Sequence, residues 1–140
     1  MPLARSVLVG ALSYHRHPPE APAQRGPVAR VARYVWADDQ ERLLAGLGGV
    51  ADELRSAGYR AVVLSDQNHL VDRAVAHRAG LGWFGKNANL LLPGSGSWFI
   101  LGSVLTDAEF DQATDVVGDG CGSCDRCIGA CPTGAIVAPG

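Results

Sequence analysis

All four cysteines of this 140-residue chain lie between Cys121 and Cys131, in the run "CGSCDRCIGACP" with the spacing C-x2-C-x2-C-x3-C-P. No other feature restricts the fold as much. Disulfides across such short loops would close little chain and add little stability. The core must therefore be built by the residues before them. The spacing is that of the bacterial iron–sulfur run, in which soft, anionic thiolates converge on a cluster from a curling loop. A zinc site and idle thiols are the alternatives. Cys121, Cys124 and Cys127 supply three ligands to one [4Fe–4S] cluster. Cys131, ahead of Pro132, is expected to serve a second cluster, as in two-cluster ferredoxins. Because the chain holds no further cysteine, a second run outside it is expected, unless Cys131 closes a single cluster. Free thiolates also imply a reducing compartment, so a cytoplasmic protein.

The remaining residues suffice for one compact core. An apolar content of 47% with 19% charged residues reads as globular. A net charge of -2 gives no global basic field. No apolar run is long enough to cross a membrane. Residues 6–14, "SVLVGALSY", read as a buried strand. Residues 15–28 hold four prolines and read as a loop. A helix is expected over 39–57, with Leu43, Leu44, Leu47, Val50 and Leu54 on one face and Gly58 at its end. "YRAVVLSD" reads as a second strand ending at Asp66, and residues 69–79 as a second helix stopped by Gly80. "ANLLL" and "SWFILGSVL", joined by "PGSG", suggest a β-hairpin. The order predicts an α/β domain with a mixed sheet over 1–110 and an appended iron–sulfur segment over 111–140.

Two stretches outside the cysteine run bear on chemistry. "RAGLGWFGKN", Arg78 to Asn87, places three glycines, two aromatics and Lys86 close together. Glycine allows close approach of backbone to a flat or anionic ligand, and Lys86 with exposed amides suits phosphate or carboxamide groups. A tight turn filled by Trp83 is the structural alternative. Asp66 closes a strand, and ligands in open α/β sheets sit beyond strand carboxyl ends. An acid there can donate a proton if burial raises its pKa, or it can simply cap the next helix. His15 and His17 fall in the proline-rich loop, His69 and His77 share a helix without the i, i+4 spacing of a metal pair, and no histidine stands out as a ligand. Arg33, Tyr34 and Trp36 either line a pocket or cover a core edge.

Together these pieces resemble the epoxyqueuosine reductase family, the cobalamin-dependent iron–sulfur enzymes of queuosine synthesis. The family run D-x-x-P-x-L-E-R-x-x-x-x-R-A-G-L-G-W-x-G-K-N is similar to "DQNHLVDRAVAHRAGLGWFGKN", Asp66 to Asn87. "GSWFILGSVLTD", "CGSCDRCIGACPTGAI", "SVLVGALSY" and "ARYVWADD" are similar to further family segments, so the resemblance covers nearly the whole chain.

The resemblance implies a cobalamin-binding α/β domain like that of reductive dehalogenases, followed by the first half of a ferredoxin-like domain. It implies two [4Fe–4S] clusters fed by an external electron donor. The substrate is epoxyqueuosine in the tRNA anticodon loop, reduced to queuosine. Asp66 falls on the family's proton donor. Lys86, Asn87, Ala88 and Asn89 fall on its corrin-facing loop, and Arg33 and Trp98 are further cofactor contacts. Here His69 replaces the family's proline and Asp72 its glutamate, while Asp39, Gln40 and Glu41 stand where the family has D-Y-H. Family members also carry residues before the first strand and a second cysteine run. A paralogous corrinoid reductase with another substrate fits the altered segment. A ferredoxin-like electron-transfer module fits the cysteines alone, and a degenerate remnant would follow from the shortened ends.

Overall fold

The computed structural model describes residues 3–18, 26, 29–67, 69–113 and 115–137. The 15–28 loop therefore lies largely outside the described residues. Strand β1 (Ser6–Ser13) leads through a 3-10 turn (Arg33–Val35) to helix α1 (Asp39–Ser56). Then come β2 (Ala61–Leu64), α2 (Asp72–Arg78), β3 (Trp83–Phe84), β4 (Leu90–Leu91), β5 (Phe99–Thr106) and a short α3 (Arg126–Gly129). Two sheets result, β1-β5-β2 and β3-β4.

The central sheet exists because β1, β2 and β5 are apolar runs that share one helix as cover. β5 lies in the middle, antiparallel to β1 from Ser6↔Thr106 to Ser13↔Phe99 and to β2 from Ala61↔Thr106 to Leu64↔Ser103. The expected mixed sheet is thus corrected: among the described residues every pairing is antiparallel. The expected hairpin is corrected too. Gly94 and Gly96, both at positive φ, close a turn with a single Leu92↔Gly96 bridge. Beyond it the two runs part. Two-residue β4 pairs with β3, while eight-residue β5 has more ladder to gain from β1 and β2.

Helix α1 packs on this sheet through Leu43, Leu47 and Ala51, against Ala61 and Val104, with Leu8, Leu12, Leu54, Val63 and Ile100 around them. Gly10 and Gly102 are cross-strand partners beneath Leu47. A Cβ on Gly102 would stand 2.5 Å from Leu47 Cδ1, and one on Gly10 3.1 Å from Cδ2. The glycine pair is a socket for one leucine. The buried stripe runs 39, 43, 47, 51, at four-residue steps. Leu44 and Val50, expected inside, remain 41% and 42% exposed. Asp39 takes a place on the buried stripe, only 2% exposed.

Both ends of α1 follow from its sequence. The Asp38 side chain accepts from the Glu41 amide at 3.0 Å, as an N-cap should. Gly58 sits at φ 89, with Gly58 N–H bonded to Arg55 O and Tyr59 N–H to Leu54 O. That pattern is a Schellman stop. Helix α2 starts three residues later than the spacing predicts, and Asp66 ahead of it bends the chain at φ 53. The cap reading of Asp66 is corrected as well: the cap position is Val71, with no side-chain bond.

Candidate functional site

The turn after β2 opens onto a cavity of about 490 Å³. Its polar wall carries Asp66, Asp72, Arg73 and Asn89, and its apolar wall Leu90, Phe99 and Leu101. Ser65 fixes the turn. Its hydroxyl accepts from Gln40 Nε2 at 2.7 Å and donates to the Leu101 carbonyl at 3.0 Å. Asp66 follows in the left-handed region, which aspartate tolerates better than bulky residues, and is exposed to the cavity. Burial raises the pKa of Asp72, and the charge of Asp66 raises it further. Two carboxyls therefore share this wall.

Arg73 joins helix α2 to the glycine loop. Its Nη1 donates to the Ala88 carbonyl at 3.1 Å and lies 3.5 Å from Asn89 Oδ1. Arg73 is a site residue the sequence reading did not single out. Its position seven residues after Asp66, on the next helix, was the available signal.

The loop is held by the β3-β4 ribbon. Gly85 N–H bonds to Asn89 O and Ala88 N–H to Gly85 O, each at 2.8 Å, and Asn87 Oδ1 accepts from Asn89 N–H at 3.1 Å. Ala88 has φ 60. Of the four loop residues singled out, Asn89 lines the cavity, while Lys86, Asn87 and Ala88 stand outside its lining. The Lys86 ammonium donates to the Gly122 carbonyl at 2.8 Å. It thus bridges to the cysteine loop.

Of the two readings of the glycines, the structure fits the tight turn rather than the close approach of a ligand. Their missing side chains face protein: Gly82 the Leu91 backbone, Gly85 the Leu91 and Asn87 side chains, and Gly80 the Asp115 carbonyl. Trp83 meets Gly120, where a Cβ would stand 2.5 Å from the indole ring. The Trp83 Nε1 is buried without a partner among the described residues. His77 Nδ1 contacts the Gly82 carbonyl at 2.8 Å, a structural bond at the entrance to β3.

Cys121, Cys124, Cys127 and Cys131 are all free thiols on one segment, with Cys127 in α3 and the others on the turns around it. Gly122 and Gly134 turn it at positive φ. Among the described residues no group of three or more His, Cys, Asp or Glu side chains is gathered closely enough to hold a metal ion. The Ile136 amide, the Thr133 hydroxyl and further amides lower the Cys131 pKa to about 7.

Arg33 and Trp98 form a cluster of their own. The guanidinium lies 4.6 Å over the Trp98 ring and 5.6 Å over Trp36. Tyr14 and His15 meet Trp98 edge-on at 5.9 and 5.7 Å. Trp98 itself is outside the cavity lining, although Ser97 and Phe99 on either side belong to it. In the altered segment, Asp39 points inward to Arg16 and Arg42 and Gln40 to Ser65.

No family model matches the chain. It is 42% identical over 146 residues to an epoxyqueuosine reductase of Synechococcus sp. (strain RCC307), covering 99% of this chain and 43% of that protein. The crystal structure of a selenomethionine-labelled epoxyqueuosine reductase superposes with a TM-score of 0.90 at 35% identity, over 100% of this chain and 38% of that one. A further match, at TM-score 0.81 and 34% identity over the same shares, is an epoxyqueuosine reductase with an epoxyqueuosine-modified tRNA-Tyr stem loop. The chain thus spans about two fifths of the length of the relatives it matches. With its mixed α/β fold and antiparallel sheet, the chain belongs to the epoxyqueuosine reductase family.

Proposed function

We propose that this chain forms part of an enzyme that reduces epoxyqueuosine to queuosine in tRNA. The observation that carries the reading is Asp66, held in a left-handed turn beside Asp72, Arg73 and Asn89 in the cavity at the end of β2. Reduction of an epoxide to an alkene consumes two electrons and two protons; both C–O bonds break, a C=C bond forms, and the oxygen leaves as water. The chain must therefore place an acid beside the leaving oxygen. Asp66 is exposed to the cavity, where its carboxyl stands in position to pass a proton to that oxygen. Asp72 keeps its own proton to higher pH than an ordinary carboxyl, and Arg73 fixes the 85–89 loop against α2.

The residues present suit the implied cofactors. Four thiols on one glycine-turned segment are the donor chemistry of an iron–sulfur cluster. The side-chain amides of Asn87 and Asn89, on either side of Ala88, suit the carboxamide-rich rim of a corrin. When bound, cobalamin supplies the reducing cobalt centre, and [4Fe–4S] clusters held by Cys121, Cys124, Cys127 and Cys131 relay electrons from an external donor. The same reading makes 1–110 a corrinoid domain of the reductive dehalogenase kind and 111–140 the first half of a ferredoxin-like unit, in a cytoplasmic protein. No helix among the described residues is long and apolar enough to cross a membrane.

The test is anaerobic production with iron, sulfide and cobalamin, recording iron content, the visible spectrum and bound corrin on one sample. Bound corrin with about one cluster per chain is expected. Iron without corrin would overturn the reductase reading in favour of an electron-transfer module.

A further inference from the structure

The Arg33–Trp98 cluster does none of the work assigned above. Trp98 is 39% exposed and Tyr34 57%. Tyr14 N–H bonds to the Trp98 carbonyl at 3.1 Å and stations β1 beside the ring. Tyr34 meets Tyr14 at a centroid distance of 6.4 Å. Trp36 is fixed by its Nε1–H donating to the Val31 carbonyl at 3.1 Å. Arg33 is thus a planar cation between two indoles, and its guanidinium makes no hydrogen bond or ion pair among the described residues. Nearby Arg16 is spent on Asp39, with bonds of 2.5 and 2.6 Å. Among the described residues, Arg33 is a cation with free donors beside exposed aromatic rings.

Such a surface matches one ligand chemistry well. An unpaired nucleobase offers a flat face to Trp98 and Tyr34 and edge or phosphate acceptors to a guanidinium. A net charge of -2 leaves no general field to hold a duplex, so affinity must come from local stacking. Ser97 and Phe99, the chain neighbours of Trp98, line the Asp66 cavity, at the same end of the sheet. We propose that Arg33, Trp98 and Tyr34 form a stacking platform for an unpaired nucleotide that flanks the reacting base of the RNA substrate. This assigns Arg33 and Trp98 to the RNA rather than to the cofactor, and it rests on the reductase reading for the identity of that substrate.

The experiment compares binding of an unmodified RNA stem loop and a fully paired RNA duplex of equal length to the chain, by fluorescence anisotropy. The stem loop is expected to bind more tightly. Arg33→Gln and Trp98→Leu are each expected to weaken the stem loop roughly tenfold, leave duplex binding unchanged, and keep the melting temperature. Arg33→Gln retains both indoles, so it reports even if Trp98→Leu unfolds. Equal binding of stem loop and duplex, no binding of either, or unchanged stem-loop affinity in Arg33→Gln would overturn the platform. So would loss of bound cobalamin in these variants with RNA binding intact. A chain that binds stem loop through Arg33 but takes up no corrin would instead overturn the reductase reading and leave the platform standing.

Discussion

Gly82→Ala tests how the glycine loop is built. Gly82 precedes β3, and its missing side chain faces the backbone of Leu91, the cross-strand partner of Trp83. A methyl group there would overlap the Leu91 carbonyl oxygen, stand 2.8 Å from its carbon and 3.3 Å from Leu92 Cα. Carbon atoms in contact prefer roughly 3.5–4.0 Å, and none of these neighbours is a side chain that can swing aside. The β3-β4 ribbon must open or shift. Overpacking of this kind costs about 1–3 kcal/mol. For a chain of this length that lowers the melting temperature by roughly 3–9 °C. The assay is thermal unfolding followed by circular dichroism, with Gly118→Ala as control because nothing lies within 4 Å of that position. If Gly82→Ala melts with the control, glycine is not required there by contact with Leu91, and the ligand-approach explanation of this loop regains its ground.

Gly46 lies inside α1 with open space around it, so Gly46→Ala should raise stability by about 0.5–1 kcal/mol through reduced unfolded-chain entropy; an unchanged or lower melting temperature would contradict the helix. The Arg16 hydrogen bond, aided by Arg16 and Arg42 charge, holds the Asp39 carboxyl below its ordinary pKa despite burial. A depressed acid contributes stability above the unfolded value of about 3.9 and loses it as pH falls through the folded one. The melting gap between the unmodified chain and Asp39→Asn should therefore be widest at neutral pH and close in acid; a gap independent of pH would refute the ion pair. Without metal, Cys131 should be alkylated by iodoacetamide faster than Cys124 at pH 7, since its pKa is lowered to about 7. Peptide mapping that shows Cys124 modified first would refute this.

Legibility in the sequence depended on the range of the interaction. β1, α1, β2 and the Gly58 stop rest on local periodicity and a local backbone need, and they appear within a few residues of expectation. The partner of β5 does not follow from its own apolar run, because pairing is decided by which other strands offer a longer ladder. Asp39 shows the same limit: its burial depends on Arg16, 23 residues earlier, across a proline-rich loop. Nor can a glycine's identity tell whether the space beside it is filled by ligand or by protein. At Gly80, Gly82 and Gly85 it is protein. Asp66 could be placed on the cavity from its family motif, whereas the Arg33–Trp98 stack needed coordinates, because the two residues are far apart in sequence and belong to different elements.

The packing of the glycine loop bears on how the two halves of the site are related. Trp83 presses on Gly120, one residue before the first cysteine, and Lys86 donates to Gly122, one residue after it. Cys121 is thus flanked on both sides by contacts from a single loop. That loop's far end, Asn89, lines the Asp66 cavity and is tied to α2 through Arg73. Displacing the ribbon should therefore disturb both the cysteine loop and the cavity wall, although they lie far apart in sequence. The contacts from Arg73 through Asn89 and Lys86 to Gly122 run continuously through one ribbon of two-residue strands, so the cavity wall and the cysteine loop share a single support.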